Sequence, residues 1–158
     1  MGVDMWMRVA KLNIETGKYD PVWLYTKDAD GNFQKVNVYN GRDYDLFDIL
    51  QDQDGKGFPC HKVYTSLLSD ELATEVQEYK NELGMYGFYE VNLADMQTYA
   101  LRNPDIPDYE SDDDEIKLRP TPIQKLIDNV LHYVELYDWL SFWDNEYSEI
   151  KLIYWFGH

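Results

Sequence analysis

Apolar positions alternate or recur in threes and fours in an order that can be read along the chain. Val3, Met5, Met7 and Val9 alternate with more polar neighbours, which is the two-residue period of a strand with one inward face. A turn containing Thr16, Gly17 and Asp20 leads to the run Val22-Trp23-Leu24-Tyr25. Asp28-Ala29-Asp30-Gly31-Asn32 is a second turn signal, followed by Phe33, Val36, Val38 and Tyr39. Asn, Asp and Gly tolerate the backbone angles that reverse a chain, so these runs predict a β-meander. Tyr44, Phe47 and Leu50 fall at helical spacing and predict a short helix over 43–50 with those three side chains buried.

The second half turns helical. Residues 52–64 read as loop. Ser69 followed by Asp70 and Glu71 is a helix start, with a capping hydroxyl and two carboxylates facing the positive end of the helix dipole. Leu72, Val76, Tyr79 and Leu83 mark its inner face, and Gly84 its stop. Residues 88–92 predict a short strand, and Asn92 caps a helix carrying Leu93, Met96 and Tyr99. Pro104 and Pro107 interrupt regular structure ahead of an acidic loop at about 103–118. Thr121-Pro122 opens a further helix with Leu126, Ile127, Val130, Leu131, Val134 and Tyr137 inward. Ile150, Leu152, Tyr154 and Phe156 alternate as a last strand, a candidate edge for pairing with a second copy. The pattern predicts one α+β domain over 1–158, a mainly antiparallel sheet packed against three to four helices, without internal repeats.

Composition narrows the chemistry. The 158 residues include 30 acidic and 14 basic side chains, a formal net charge of −16. Aromatic residues make up 16 %, which sets the chain apart from disordered acidic sequences. No apolar stretch is long enough for a membrane span and no basic-then-apolar leader opens the chain, so a cytoplasmic protein is expected. One cysteine, Cys60, allows no internal disulfide and suits a reducing compartment. The charge opposes direct binding to a nucleic-acid backbone, because phosphates would be repelled. It is also uneven: residues 1–60 carry ten acidic and seven basic side chains, and residues 61–158 carry twenty and seven.

Several clusters invite a functional reading. Asp52-Gln53-Asp54-Gly55-Lys56-Gly57 resembles the start of a calcium loop, yet Lys56 stands where an oxygen ligand belongs and Val63 where the bidentate carboxylate belongs. A polar turn fits better. Cys60-His61 supplies two metal-compatible groups, too few for zinc without partners at suitable spacing. No cofactor, metal or catalytic constellation is therefore expected. Arg42, after Gly41 at a strand-to-helix corner, could hold an anion, but a structural ion pair with a strand carboxylate is the better reading, since such pairs are common. Glu71, Glu75, Glu78 and Glu82 are spaced four, three and four, which puts them on one helical face at about 5–6 Å intervals, close to the spacing of phosphates along a strand. Asp112, Asp113, Asp114 and Glu115 are consecutive, with Tyr109 beside them as an aromatic anchor.

Three segments carry a family resemblance: the opening Met1-Gly2-Val3-Asp4-Met5-Trp6, the middle Gly41-Arg42-Asp43-Tyr44-Asp45-Leu46-Phe47, and the close Ile150-Lys151-Leu152-Ile153-Tyr154-Trp155-Phe156. In this order they resemble a group of small uncharacterised phage and prophage proteins. Val3 and Trp6 replace the cysteine and histidine of that group's opening, so the resemblance brings no thiol or metal pair. The polar positions that the resemblance singles out are Asp4 and Arg42, expected as the ion pair, with Tyr44 nearby. It implies a phage setting, in the cytoplasm of an infected or lysogenic bacterium, and no reaction. Joined to the acidity, it leads to the expectation of an accessory protein that inhibits a host defence or nucleic-acid-handling protein, such as a restriction or CRISPR nuclease. Its acidic face would imitate nucleic acid on the partner's basic surface. The alternatives are a nucleotide- or anion-binding protein or enzyme using Arg42, and a phage structural or assembly component.

Overall fold

The structure is a computed structural model that describes residues 2–53, 55, 57–108, 117–137 and 149–158, without the side chains of 107, 108 and 137. Its centre is a five-stranded antiparallel sheet in the order β2-β1-β9-β6-β5. Strand β1 (Asp4–Asn13) turns back into β2 (Lys18–Pro21) on one side. On the other side β1 pairs along its length with β9 (Ile150–Gly157), from Asp4 opposite Gly157 to Lys11 opposite Ile150. Strand β6 (Tyr86–Asn92) covers the second edge of β9, and the two-residue β5 (His61–Lys62) lies outside it. The last strand is thus the middle of the sheet and every one of its residues is buried, which overturns its expectation as a pairing edge. The reason is that both faces are covered: Leu152, Tyr154 and Phe156 enter one core while Ile153 and Trp155 enter another.

Helix α1 (Tyr44–Leu50), α3 (Leu93–Arg102) and α4 (Pro122–Tyr137) contribute to the first core, which also takes Met5, Met7 and Val9 from β1. Helix α2 (Asp70–Lys80) and a 3-10 turn at Thr65–Leu67 cover the opposite face, where Leu68, Leu72 and Val76 meet Ala10, Phe88, Ile153 and Trp155. The helix starts follow the sequence. Asp43 Oδ1 accepts from Leu46 N at 3.2 Å, Ser69 Oγ from Leu72 N at 3.4 Å, Asn92 Oδ1 from Ala94 N at 2.9 Å, and Thr121 Oγ1 from Ile123 N at 3.4 Å. Each satisfies an amide that has no carbonyl partner in the first turn. Among the described residues these elements form a single α+β domain with four α-helices, within the three to four that the pattern predicts.

Several local expectations change. The meander contributes only β1 and β2 to the main sheet, while β3 (Tyr25–Lys27) and β4 (Phe33–Lys35) form a separate hairpin. Between them the chain is held by a side chain: the Tyr133 hydroxyl of α4 accepts from Leu24 N at 2.9 Å and donates to Val22 O at 3.0 Å. In α1, Leu46 takes the buried place predicted for Tyr44, which is 43 % exposed. Helix α2 ends at Lys80, capped by Asn81, so Leu83 lies beyond it and is fully exposed. The segment around Pro107 is a strand, β7 (Asp105–Asp108), paired with β8 (Lys117–Pro120). Proline is tolerated there because a two-stranded sheet leaves each strand a free edge. Among the described residues no helix is long and apolar enough to cross a membrane.

Candidate functional site

The four glutamates of the predicted stripe divide into two pairs. Glu75 points back onto the sheet, where its carboxylate accepts from Arg8 Nε and lies 3.8 Å from Lys35 Nζ. Arg8 is in turn placed between two indoles, with its guanidinium 5.5 Å from the Trp23 ring and 5.3 Å from that of Trp155. Glu71 accepts from Trp23 Nε1 at 3.0 Å. These two carboxylates fasten α2 and the segment at Trp23 to the sheet. Glu78 and Glu82 are exposed, and Glu82 follows the end of α2. The surface charge available to a partner on this side is therefore smaller than the spacing implies.

The acidic run gains a frame. Residues 105–115 contain seven carboxylates, and the run begins inside β7 and ends two residues before β8. Pro107 pairs with Leu118 and Asp108 with Lys117. Arg119 anchors the returning strand: its guanidinium donates to Asp43 Oδ2 at 2.9 Å and to Asp45 Oδ2 at 3.2 Å. Both carboxylates raise the Arg119 pKa, first through the hydrogen bond to Asp43. Asp43 thus caps α1 and holds the acidic hairpin through the same carboxylate. Tyr109, Asp112, Asp113, Asp114 and Glu115 lie outside the described residues.

The corner at Arg42 brings together the three residues that the sequence singles out. Arg42 Nε donates to Asp4 Oδ1 at 2.8 Å, and the Tyr44 hydroxyl accepts from Val3 N at 3.4 Å. The hydrogen bond from Arg42 lowers the Asp4 pKa, with desolvation opposing it and the charge of Arg42 adding to it. Arg42 also lines a cleft of about 380 Å³ with Arg119 and Lys125. Arg42 and Arg119 are each committed to carboxylates, which among the described residues leaves Lys125 as the cation of the cleft without such a partner. This favours the structural ion pair over an anion clamp.

The remaining motifs resolve into structural roles. Asp52 adopts a positive φ of 50° and its Oδ1 accepts from Gly57 N at 3.1 Å and Phe58 N at 3.4 Å, which closes a polar turn on itself; Asp54 and Lys56 lie outside the described residues. Cys60 and His61 diverge, as successive residues of extended chain do. Cys60 packs against the first core, where burial pushes its thiol pKa up, while His61 turns toward Glu90 on the other face. A raised pKa keeps the thiol protonated and a weak nucleophile.

Sequence reasoning missed two features. One is the Arg119 anchor, signalled by an arginine just after an acidic run. The other is a buried ion pair between Glu90 of β6 and Lys151 of β9, at 3.3 Å. Its signal is a single charge of opposite sign in each of two apolar strand segments, Tyr89-Glu90-Val91 and Ile150-Lys151-Leu152. Compared with known protein families, curated proteins and solved structures, the chain matches none.

Proposed function

We propose that the protein works by binding a partner through an acidic surface that stands in for nucleic acid. The partner is a host protein whose basic surface ordinarily takes phosphates, and no reaction or cofactor takes part. The observation that carries this reading is the hairpin. A run of seven carboxylates costs self-repulsion, and here both of its ends are tied into paired strands and to α1 through Arg119. A purely solubilising tail needs no such anchor. Asp112, Asp113, Asp114 and Glu115 supply the charge, Tyr109 an aromatic contact, and Glu78 and Glu82 a secondary patch. Glu71 and Glu75 support the fold instead. Binding releases counterions from the partner's basic groove and blocks it to nucleic acid. In the phage setting that the resemblance implies, that partner is a defence nuclease of an infected or lysogenic bacterium, met in its cytoplasm.

The test is a pull-down from bacterial lysate with the whole protein and with a triple variant, Asp112→Lys, Asp113→Lys and Asp114→Lys. A partner retained at about 50 mM salt, released at about 200 mM or by duplex DNA, and lost with the variant is the expected result. Equal capture by both proteins, or capture indifferent to salt and DNA, overturns the reading.

A further inference from the structure

On the face of the sheet covered by α2, β5, β6 and β9 bring three titratable side chains together. His61 stands opposite Glu90 in the β5–β6 register, and Lys151 opposite Asn92 in the β6–β9 register. Glu90 is 3 % exposed and Lys151 5 %. Lys151 Nζ lies 3.3 Å from Glu90 Oε1 and 3.8 Å from the centre of the Tyr19 ring. His61 Nδ1 is 3.1 Å from Lys62 O and 3.6 Å from Glu90 Oε1. The second carboxylate oxygen, Glu90 Oε2, is buried and has no hydrogen-bond partner among the described residues. A buried carboxylate oxygen in that state is destabilising, because it has given up water without gaining a donor. An ion pair kept only for stability would be expected to satisfy it.

Glu90 and Lys151 line a cleft of about 270 Å³ together with Tyr19, His61, Tyr64 and Leu67. The volume lies just below that of ordinary small-molecule sites, about 300–1,000 Å³, which suits the head of one side chain. Tyr64 is 57 % exposed at the rim, with its ring tilted against His61 at 5.4 Å between centres. Burial raises the Tyr19 hydroxyl pKa, and the charges of Glu90 and Glu149 raise it further. Lys151 neutralises one of those two carboxylates, and its ammonium is already turned to Glu90 Oε1 and the Tyr19 ring.

We propose that this cleft receives an arginine side chain of the basic partner, its guanidinium donating to Glu90 Oε2 and stacking on Tyr64. A guanidinium offers several donors in one plane together with a face that stacks on an aromatic ring. The inference rests on the reading of the protein as a binder of a basic partner, and supplies that partner with an anchor separate from the acidic hairpin.

Agmatine, an alkyl guanidinium, is the probe, titrated into the intact protein and followed by NMR, with inorganic phosphate as the opposite-charge control. Saturable shifts centred on Tyr64, His61 and Tyr19, weakened about threefold or more by Tyr64→Ala, are expected. Glu90→Gln should also weaken binding, and the exposed Tyr64 keeps the test valid if that variant misfolds. Absence of saturation by about 20 mM, an affinity unchanged in Tyr64→Ala, or binding of phosphate in place of agmatine overturns the proposal. The hairpin triple variant should bind agmatine as the unaltered protein does. Loss of partner capture with agmatine binding intact therefore bears on the hairpin alone, whereas loss of agmatine binding bears on the cleft.

Discussion

The two faces of the central sheet are built from the same strands on different terms. On the face packed by α1, α3 and α4, Met5, Met7, Val9, Leu152, Tyr154 and Phe156 form a buried apolar layer. The face under α2 mixes Ala10, Phe88, Ile153 and Trp155 with Arg8, Glu90 and Lys151. Among the described residues, the two buried side-chain polar atoms without a hydrogen-bond partner, Glu90 Oε2 and Trp155 Nε1, both lie on this second face. An apolar face is held by area and shape and tolerates rearrangement within a fixed volume. A face with buried charges depends on particular pairings, and an unmet group there is a place for a partner to act.

The comparison is broken most directly at the first face. Leu152→Ala, in the central strand with no exposure, should cost about 2–5 kcal/mol in urea unfolding, since it loses buried area and leaves a cavity. A loss below about 1 kcal/mol would mean that this face is not the main source of stability.

The second face is sharpened by two substitutions on one helix. Glu75→Ala leaves Arg8 without its carboxylate partner between two indoles, and should cost about 1–3 kcal/mol. Glu78→Ala, one turn on and exposed, should stay within about 0.5 kcal/mol. Equal effects in denaturant unfolding would show that the two glutamates have the same standing.

The smallest effect is expected at the Arg42 corner. The Asp4 pKa is lowered from its ordinary 3.8 by the hydrogen bond from Arg42. A carboxyl lowered on folding adds stability above its unfolded pKa and loses that contribution as pH falls through the folded one. The stability difference between the protein and Arg42→Gln should therefore shrink as pH drops below 3.8. In a carboxyl NMR titration, Asp4 of the variant should titrate closer to its ordinary value. Identical midpoints would dismiss the pair.

Local rules explain why some of this was legible in the chain. Ser69, Asn92 and Thr121 were legible as caps because capping needs only a short side-chain oxygen and the following amides, whereas Asp43, read as part of its helix, proved to be the cap. Asp4 and Arg42, singled out by the family resemblance and expected as an ion pair because such pairs are common, do meet. Glu75 was misjudged because helical periodicity says which residues share a face and not whether that face meets solvent or an arginine. Leu83 was placed inward by the same periodicity, which does not register that the helix has ended. Pro107 was read as a break because a proline argues against a strand only where both edges are paired.

By itself the sequence determined the class of the fold, the order and starts of its helices, and the acidity that any partner must meet. Those are properties of neighbours along the chain or of sums over it. The tertiary structure alone decided that β9 is the centre of the sheet, since alternation cannot tell one covered face from two. It also decided that Arg8 takes Glu75 out of the acidic stripe, that Arg119 fixes the hairpin to α1, and that Glu90 and Lys151 meet across two strands. Each of these joins residues distant in sequence, and a charge does not specify its partner until the backbone has brought both to the same place.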